Sequence, residues 1–304
     1  MPTDTIDRLG SELETEAAWV SREVDEFFAS LLVVPEDGRA RLYDAMRHAA
    51  IGGGKRLRPL LTVASARLFA IDPERAIRVG CAIEAIHTYS LIHDDLPCMD
   101  DADLRRGKPA VHKAYGEAEA VLAGDSLSAL AFEILAHPAT HEDPWVRSDL
   151  LLGLASAAGP AGMAGGQMMD LAAQGQDLDL PAITRLQQLK TGALIEYAVE
   201  AACIMVKLPA EARTPYRGYA RNIGLAFQIA DDLIDHSGSE DAAGKRTGQD
   251  ASAGKATFVS LFGEERARQQ ADFLVEQAME HLSHHGDEAD LLRDIARFAI
   301  ERDH

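Results

Sequence analysis

The sequence predicts an all-α protein, a single bundle of about ten or more helices, and three observations lead to that prediction. Hydrophobic residues make up 47% of the chain and aromatic residues only 6%, and the abundant alanine and leucine are strong helix formers. Apolar residues recur at intervals of three and four, as on the buried face of a helix. No segment shows the alternation of apolar and polar residues that is typical of a half-buried strand.

The helical periodicity appears in long segments that are separated by short stretches rich in glycine, proline and polar residues. The clearest of these segments are predicted as helices at residues 40–51, 58–70, 76–93, 118–136, 183–206, 216–235 and 289–303. No change of composition between them marks a domain boundary, so we expect one domain over residues 1–304.

One predicted connection is unusually long. Residues 236–258 are rich in glycine, alanine, serine and charged residues. Loops longer than about 12–15 residues are uncommon in compact domains, and those that occur are functional or disordered. Because this one directly follows an acidic cluster, we predict that it is a lid over a functional site.

The charge of the chain excludes several classes of partner. The formal net charge is -19, which disfavours nucleic acid and anionic lipid as ligands because both would be repelled. Three cysteines without a CxxC pair favour neither a disulfide framework nor a zinc site. The N-terminus has no apolar signal core, and no apolar run approaches the length of a membrane span. We therefore expect a soluble, cytoplasmic protein without a membrane span.

A first acidic cluster follows the helix predicted at 76–93. Five aspartates are followed at once by three basic residues: Asp94, Asp95, Asp100, Asp101, Asp103, then Arg105, Arg106 and Lys108. Five carboxylates at this spacing repel one another unless positive charge lies between them. His87 lies two helical turns before Asp94 and is expected on the same helix face.

A second acidic cluster ends the helix predicted at 216–235. Asp231 and Asp235 are four residues apart and share a helix face, with Asp232 beside them and Gln228 one turn earlier. Either cluster alone is also compatible with a solvated helix end. Two clusters at the ends of similar helices favour a pair of acidic faces across the bundle, and ligands that are all oxygen favour a hard ion such as Mg²⁺.

Basic residues stand beside glycines or directly beyond the first cluster. They are Lys55, Arg58, Arg105, Arg106, Lys245 and Lys255. Guanidinium and ammonium groups bind phosphate oxygens, although they also pair with carboxylates. Glycines next to so many cations favour the first interpretation, because glycine lets the backbone approach a bulky anion.

Six of these motifs together resemble the trans-isoprenyl diphosphate synthases in order and spacing. They read GGKRLRP, DDLPCMDDADLRRGKPAVH, AGGQMMDL, LKTGALI, FQIADDLID and GKATF, and the resemblance runs from about Arg41 to the C-terminus. It implies the isoprenoid synthase fold, in which helices surround a deep central cavity, and usually a homodimer. It also implies a Mg²⁺-dependent prenyltransferase that condenses isopentenyl diphosphate with allylic diphosphates.

The resemblance assigns roles to individual residues. The aspartates implied to hold three Mg²⁺ ions per active site are Asp94, Asp95, Asp100, Asp231, Asp232 and Asp235. The residues implied to grip the allylic diphosphate are Arg105, Lys190, Thr191, Gln228, Lys245 and Lys255. Those implied to bind isopentenyl diphosphate are Lys55, Arg58, His87 and Arg106.

The length of the product depends on the bottom of the cavity. Tyr89 lies five residues before Asp94, about 7.5 Å along the helix. An aromatic residue here, with two extra residues in the first motif, resembles bacterial farnesyl diphosphate synthases, and so we predict a C15 product with Tyr89 as the floor. Tyr89 as plain core packing is the alternative. The DLPCMDD stretch, with Cys98, also occurs in geranylgeranyl-forming relatives, so a C20 product stays open, as does a C10 product.

Two other functions stay open at the sequence level. A class I terpene cyclase shares helices and an aspartate motif but lacks the second basic set formed by Lys55, Arg58 and His87. A non-catalytic partner subunit typically loses the aspartates, which are intact here. Phe227, one turn before Asp231, is a candidate to face a carbocation with its ring, although core packing is the commoner role.

Overall fold

The computed structural model describes residues 3–173, 178–237 and 258–301. The helices of the first half are α1 (Thr3–Leu31), α2 (Ala40–Ala50), α3 (Leu57–Arg67), α4 (Pro73–Asp94), α5 (Val111–Tyr115), α6 (Glu117–Ala136) and α7 (Pro144–Ala158). Those of the second half are α8 (Met163–Ala172), α9 (Leu180–Gln187), α10 (Ala193–Met205), α11 (Thr214–Ser237), α12 (Phe258–Phe262), α13 (Glu264–His281) and α14 (Asp290–Phe298). The all-α prediction is confirmed. The predicted lid, with Lys245 and Lys255, falls on residues 238–257 and so lies outside the described residues.

Helix α4 lies at the centre of the bundle and carries the first acidic cluster at its end. Its start is fixed by the side chain of Asp72, which accepts hydrogen bonds from the N–H groups of Glu74 (2.9 Å) and Arg75 (3.3 Å), with Pro73 in the first turn. Helices α1, α3, α6 and α10 pack around it. Because it is covered on several sides, α4 is apolar on most of its circumference rather than along one stripe.

The hydrophobic core is one continuous cluster that extends from Leu13 in α1 to Ala296 in α14. Helix α11, which carries the second acidic cluster, packs against α10 on one side and α13 on another. Both acidic helix ends are therefore anchored in the same core. No helix in the described ranges is both long and apolar enough to cross a membrane.

The helix predicted at 183–206 is interrupted in the structure. Between α9 and α10, residues Gln188–Gly192 form a π-helical segment, in which one turn is wider than in an α-helix. Such segments are rare and are frequently found at functional sites. Periodicity did not predict it, because one extra residue shifts the apolar pattern too little to be recognised in a short window.

A two-stranded hairpin is the one sheet in the described part of the chain, and the sequence did not predict it. Strands β1 (Leu104–Arg105) and β2 (Lys108–Pro109) pair antiparallel. The two turn residues, Arg106 and Gly107, both have positive φ, at 53° and 74°. This is the backbone that a two-residue hairpin requires. Two residues per strand are too few to show alternation.

Candidate active site

The first acidic cluster folds back onto the C-terminal end of α4. The N–H of Asp100 donates to the carbonyl of Asp94 (2.9 Å), and the N–H of Ala102 donates to the carbonyl of Asp95 (3.2 Å). The loop thereby satisfies carbonyls that the helix end leaves free. Burial, followed by the charges of Asp100 and Asp95, raises the pKa of Asp94 to about 6, although Lys190 and Arg105 oppose the shift. The ionised form of Asp94 is therefore disfavoured mainly by burial, and a bound cation would stabilise it.

Asp95 is buried and is paired with Arg105. The Nε atom of Arg105 lies 3.0 and 3.2 Å from the two carboxylate oxygens of Asp95, and its Nη2 atom also donates to one of them. This fork geometry fixes the guanidinium in orientation. The hairpin and the helix end are therefore joined by an ion pair, and Arg105 is held beside Asp94 and Asp100, whose charges also act on it.

The last two aspartates of the cluster have partners on α5. The Nζ atom of Lys113 lies 3.3 Å from the Oδ1 atom of Asp101 and 3.1 Å from that of Asp103. His112, which is buried, places its Nε2 atom 3.7 Å from Asp101. The repulsion among five aspartates is therefore relieved partly by Arg105 and partly by Lys113, a residue that the sequence analysis did not select.

The second acidic cluster lies on the last turns of α11. Asp232 and Asp235 are buried, and a carboxylate oxygen of Asp232 accepts a hydrogen bond from the N–H of Phe258 (3.0 Å). This bond joins the end of α11 to the start of α12, which follows residues 238–257 in the sequence. Burial lowers the pKa of Arg58, and the nearby negative charge of Asp231 opposes this shift. Asp231 therefore lies close enough for its charge to act on Arg58 of α3.

Lys190 connects the π segment to the first acidic cluster. Its Nζ atom lies 2.6 Å from the Oδ2 atom of Asp170 on α8, and its charge also lowers the pKa of Asp94. Helix α8 approaches the π segment so closely that a Cβ atom on Gly166 would lie 2.2 Å from the backbone nitrogen of Lys190. Thr191 follows in the same segment, against which α11, the helix of Gln228, also packs.

The basic residues of α3 and the hairpin fall into two kinds. Arg56 is fully buried and compensated, with Nη1 2.8 Å from Glu84 and Nη2 2.7 Å from Asp25. Arg58 and Arg106, in contrast, make no ion pair with any carboxylate in the described residues, although burial lowers the pKa of both. Two desolvated guanidinium groups without an ion pair form a site prepared for an anion.

His87 lies among these arginines and stays neutral. Burial lowers its pKa well below the usual range, and the charges of Arg58 and Arg106 lower it further. A neutral imidazole donates or accepts a hydrogen bond without adding charge. The structure thus brings Arg58, His87 and Arg106 close enough for their charges to interact, whereas Lys55, just before α3, is exposed.

The glycine triplet makes room for the side chain of Arg106. A Cβ atom on Gly54 would lie 2.4 Å from the guanidinium carbon of Arg106, and Gly54 has a φ of 84°. The Nη1 atom of Arg106 also donates to the carbonyl of Gly53 (3.2 Å). The glycines therefore accommodate the side chain of Arg106 and fix its position beside Arg58 and His87.

A cleft in the structure is lined by residues of the first cluster and the hairpin, among them Asp95, Arg105 and Arg106. A larger cavity of about 700 Å³ opens between α7, the π segment, α10 and α11. None of the predicted site residues that the structure describes lines this larger cavity, so its size alone does not connect it with the chemistry.

The aspartates offer oxygen ligands that suit a hard cation, but they do not form a complete coordination sphere in the described residues. In the described ranges, no three histidine, cysteine, aspartate or glutamate side chains converge closely enough to enclose a metal ion by themselves. Mg²⁺ is usually bound through one or two carboxylates together with waters and substrate phosphates. Because the donors are carboxylate oxygens, the residues present fit Mg²⁺ that is shared with a phosphorylated substrate.

Comparison with known proteins decides the family. The family model described as polyprenyl synthetase matches residues 39–295. The chain belongs to this family. It is 42% identical over 269 residues to farnesyl diphosphate synthase of Geobacillus stearothermophilus, a match that covers 88% of the chain and 91% of that protein. It is also 43% identical to geranylgeranyl pyrophosphate synthase 11, chloroplastic, of Arabidopsis thaliana, covering 87% of the chain and 76% of that protein.

Solved structures of polyprenyl synthetases share the fold. An apo structure of an FPP/GFPP synthase from Zymomonas mobilis has a TM-score of 0.87 and 56% sequence identity, and the match covers 95% of the chain and 99% of that structure. The predictions of the isoprenoid synthase fold and of a prenyltransferase are confirmed. The head-to-tail prenyltransferases among the relatives differ in the length of the product that they are named for.

Sequence reasoning missed residues that hold the site rather than contact a substrate. Asp170 pairs with Lys190, and Glu84 pairs with Arg56. Asp170 lies in the AGGQMMD motif and was therefore visible as a candidate. Glu84 is the one acidic residue in the apolar middle of α4, and a lone charge on a helix that is otherwise buried is the signal that identifies a paired structural residue.

Proposed function

We propose that this prenyltransferase condenses isopentenyl diphosphate with allylic diphosphates of five and ten carbons and releases mainly farnesyl diphosphate. The observation that carries the proposal is the site formed by Arg58, Arg106 and His87. In a chain with a net charge of -19, two half-buried guanidinium groups without an ion pair in the described residues are best explained by a second anionic substrate. A terpene cyclase, which ionises a single diphosphate, has no use for this site.

In this proposal the two acidic helix ends would hold the Mg²⁺ ions. Asp94 and Asp100 offer carboxylates on one side, and Asp231 and Asp235 offer them on the other. Asp95 and Asp232 belong to the same proposed set of ligands, and in this structure Asp95 also pairs with Arg105 while Asp232 accepts a hydrogen bond from the N–H of Phe258. When bound, three Mg²⁺ ions supply Lewis acidity that neutralises the charge of the departing diphosphate.

The residues of the chain perform the remaining tasks. Arg105 and Lys190 are positioned by Asp95 and Asp170, and they offer fixed positive charge to the allylic diphosphate as its C–O bond breaks and the electron pair leaves with the oxygen. Arg58 and Arg106 hold isopentenyl diphosphate so that its double bond reaches the allylic carbocation. The condensed cation then loses a proton, which the departing diphosphate accepts.

The remaining predicted ligands that lie in the described residues are Thr191, Gln228 and Lys55. Thr191 follows Lys190 in the π segment, and Gln228 lies half-buried on α11, one turn before Asp231. We assign both to the allylic diphosphate, and we assign Lys55 to isopentenyl diphosphate. Phe227 is half-buried on α11, and the proposal needs no contribution from its ring.

Arginine substitutions test the proposed second site. Arg58→Met and Arg106→Met each remove a charge-assisted contact, which is worth about 1.5–3 kcal/mol. We expect the KM for isopentenyl diphosphate to rise by roughly 10- to 150-fold, with little change in the KM for the allylic substrate. Arg22→Met, at an exposed position on α1, is the matched control. A wild-type protein that ionises allylic diphosphate but consumes no isopentenyl diphosphate would show that the chain is a cyclase.

The C15 product is proposed from Tyr89. The side chain is half-buried, and burial, together with the charge of Asp94, raises its pKa. We propose that a large ring this close to the acidic site limits the length of the growing prenyl chain. Radiolabelled isopentenyl diphosphate, with each primer and with or without Mg²⁺, separates C10, C15 and C20 products by chromatography. Tyr89→Ala is expected to lengthen the products, and an unchanged profile would remove Tyr89 from the floor.

Longer products are the second candidate, because relatives of similar identity are named as geranylgeranyl pyrophosphate synthases and the structure from Zymomonas mobilis is an FPP/GFPP synthase. A dominant C20 peak from the wild-type protein under the same conditions would favour this alternative over the C15 proposal.

We also propose that the chain is one domain and acts as a cytoplasmic homodimer through α6 and α7. The continuous core supports one domain. Helices α6 and α7 expose large apolar side chains, including Leu122 (54% exposed), Trp145 (79%) and Leu152 (70%), and exposed apolar patches of this kind mark interfaces. Light scattering is expected to give the mass of two chains. Leu122→Arg with Leu152→Arg is expected to halve that mass, and a monomeric wild-type protein would refute the dimer.

A further inference from the structure

We propose that His93, held on the backbone of α6 at Gly124, is a positioning residue that sets the product length by fixing the ring of Tyr89. The inference rests on the proposed function and adds to it a second layer of residues behind the floor. It assigns to α6 a specificity role that the acidic motif alone does not show.

His93 is seated directly on α6. A Cβ atom on Gly124 would lie 2.1 Å from the Nε2 atom of His93 and 2.6 Å from its Cδ2 atom. The Nε2 atom lies 3.2 Å from the carbonyl oxygen of Val121, to which it donates in the tautomer that carries a proton there. The imidazole therefore occupies the space that any other residue at position 124 would take, and the hydrogen bond fixes its orientation.

Tyr89 packs against the ring that is held in this way. Tyr89 and His93 are one turn apart on the same face of α4, and their ring centroids are 5.7 Å apart at an interplanar angle of 70°. This edge-to-face arrangement is favourable and directional. The ring of Tyr89 therefore has one preferred position because His93 has one.

The neighbouring position cannot replace this support. The hydroxyl of Ser90 donates to the carbonyl of His87 (2.8 Å) and so turns back onto its own helix. Ser90 is small and adds no bulk at the bottom of the cavity. The path that fixes the floor therefore runs from Gly124 to His93 and from His93 to Tyr89.

A double-substitution cycle tests the proposal. His93→Ala removes the edge contact and lets the Tyr89 ring turn aside, so the ratio of C20 to C15 product is expected to rise about two- to tenfold, the factor expected for one aromatic contact. Gly124→Ala displaces the imidazole and is expected to shift the ratio in the same direction. In the double variant the new methyl group occupies the space left by His93, so its product ratio is expected to match that of His93→Ala alone.

A second glycine provides the matched control. Gly153 on α7 contacts a buried aromatic ring in the same way, since a Cβ atom there would lie 2.6 Å from the Cε2 atom of Tyr197. Gly153→Ala is expected to lower the melting temperature without changing the product ratio. If Gly124→Ala does not fold, His93→Ala and the double variant still decide the question.

Three outcomes are distinguishable. A wild-type protein that does not elongate allylic diphosphates overturns the proposed function itself. A wild-type protein that makes C15 product, with an unchanged C20 to C15 ratio in His93→Ala, overturns only the positioning role. A ratio that shifts equally in Gly153→Ala also overturns it, because the effect would then come from general loosening of the bundle.

Discussion

Substitution of Gly166 by alanine is expected to displace the backbone of the π segment, because the added methyl group would meet main-chain atoms of Lys190 rather than a side chain. The added Cβ atom would lie 2.2 Å from the nitrogen and 2.5 Å from the Cα atom of Lys190, whereas ordinary contact begins at 3.4 Å, so the π segment must retreat by about 1.2 Å. The segment carries Lys190, whose Nζ atom lies 2.6 Å from Asp170. A shift of this size breaks that geometry.

The expected loss can be given a magnitude. A misplacement of about 1 Å in a catalytic group costs on the order of 100-fold in rate, and overpacking a close contact costs about 1–3 kcal/mol of folding free energy. We therefore expect Gly166→Ala to lower kcat/KM for the allylic substrate roughly 100-fold while the protein stays folded. Steady-state assays at saturating isopentenyl diphosphate and urea unfolding measure the two quantities separately.

Gly192→Ala is the matched control within the same π segment. The nearest atom to its added Cβ would be the carbonyl oxygen of Gln187 at 3.5 Å, an ordinary contact. Replacing a glycine by alanine in a helical conformation is stabilising by about 0.5–1 kcal/mol, and the activity is expected to stay near that of the wild type. Equal losses in Gly166→Ala and Gly192→Ala, or full activity in Gly166→Ala, would refute the placement of Lys190 by this contact.

Three further predictions follow from buried and paired charges. Arg56→Met leaves the carboxylate of Glu84 buried without its partner and is expected to lower the free energy of unfolding by about 3–5 kcal/mol in urea; a loss below 1 kcal/mol, roughly that of an exposed pair, would contradict the buried network. Because the pKa of Asp94 is raised from 3.8 to about 6, the folded protein retains a proton that the unfolded chain releases, so the stability of the metal-free protein falls as the pH rises from about 4 to 6. Urea midpoints measured across that range should lose this slope in Asp94→Asn, and an unchanged slope would assign it elsewhere. Lys113→Ala breaks the ion pair that holds Asp101, the residue after the proposed ligand Asp100, to α5. It is therefore expected to raise the Mg²⁺ concentration for half-maximal activity about tenfold, and Lys113→Arg is expected to restore it. Wild-type Mg²⁺ dependence in the alanine variant would show that Lys113 does not position the loop.

Much of the fold was predictable because helix periodicity and breakers are local signals. The long helices α4, α6 and α11 agree with the segments at 76–93, 118–136 and 216–235 to within a few residues. The π segment and the hairpin were not predicted, because each depends on a few residues whose conformation is fixed by contacts from elsewhere. Gly166 determines how closely α8 approaches the π segment, and that contact has no local signature.

The site was predictable where the type and spacing of the residues indicate its chemistry. Aspartates and arginines at characteristic spacing identified the acidic helix ends and the basic set, and the structure brings Arg58, His87 and Arg106 together. Which cations are already paired was not predictable, since Arg56 and Arg58 are two residues apart in one motif and only the fold shows that Glu84 pairs with Arg56. The partners of Asp101 and Asp103 on α5 likewise depend on how the loop returns to α4.

The direct test of the central claim is the uptake of Mg²⁺ in the presence of inorganic diphosphate, measured by equilibrium dialysis on the wild-type protein and on Asp94→Asn and Asp231→Asn. If the two acidic helix ends share their ions with one diphosphate, the wild type binds three Mg²⁺ per chain, and either substitution sharply weakens the binding of diphosphate together with the metal. If Asp231→Asn binds Mg²⁺ and diphosphate as the wild type does, the two helix ends do not form one site and the account is wrong.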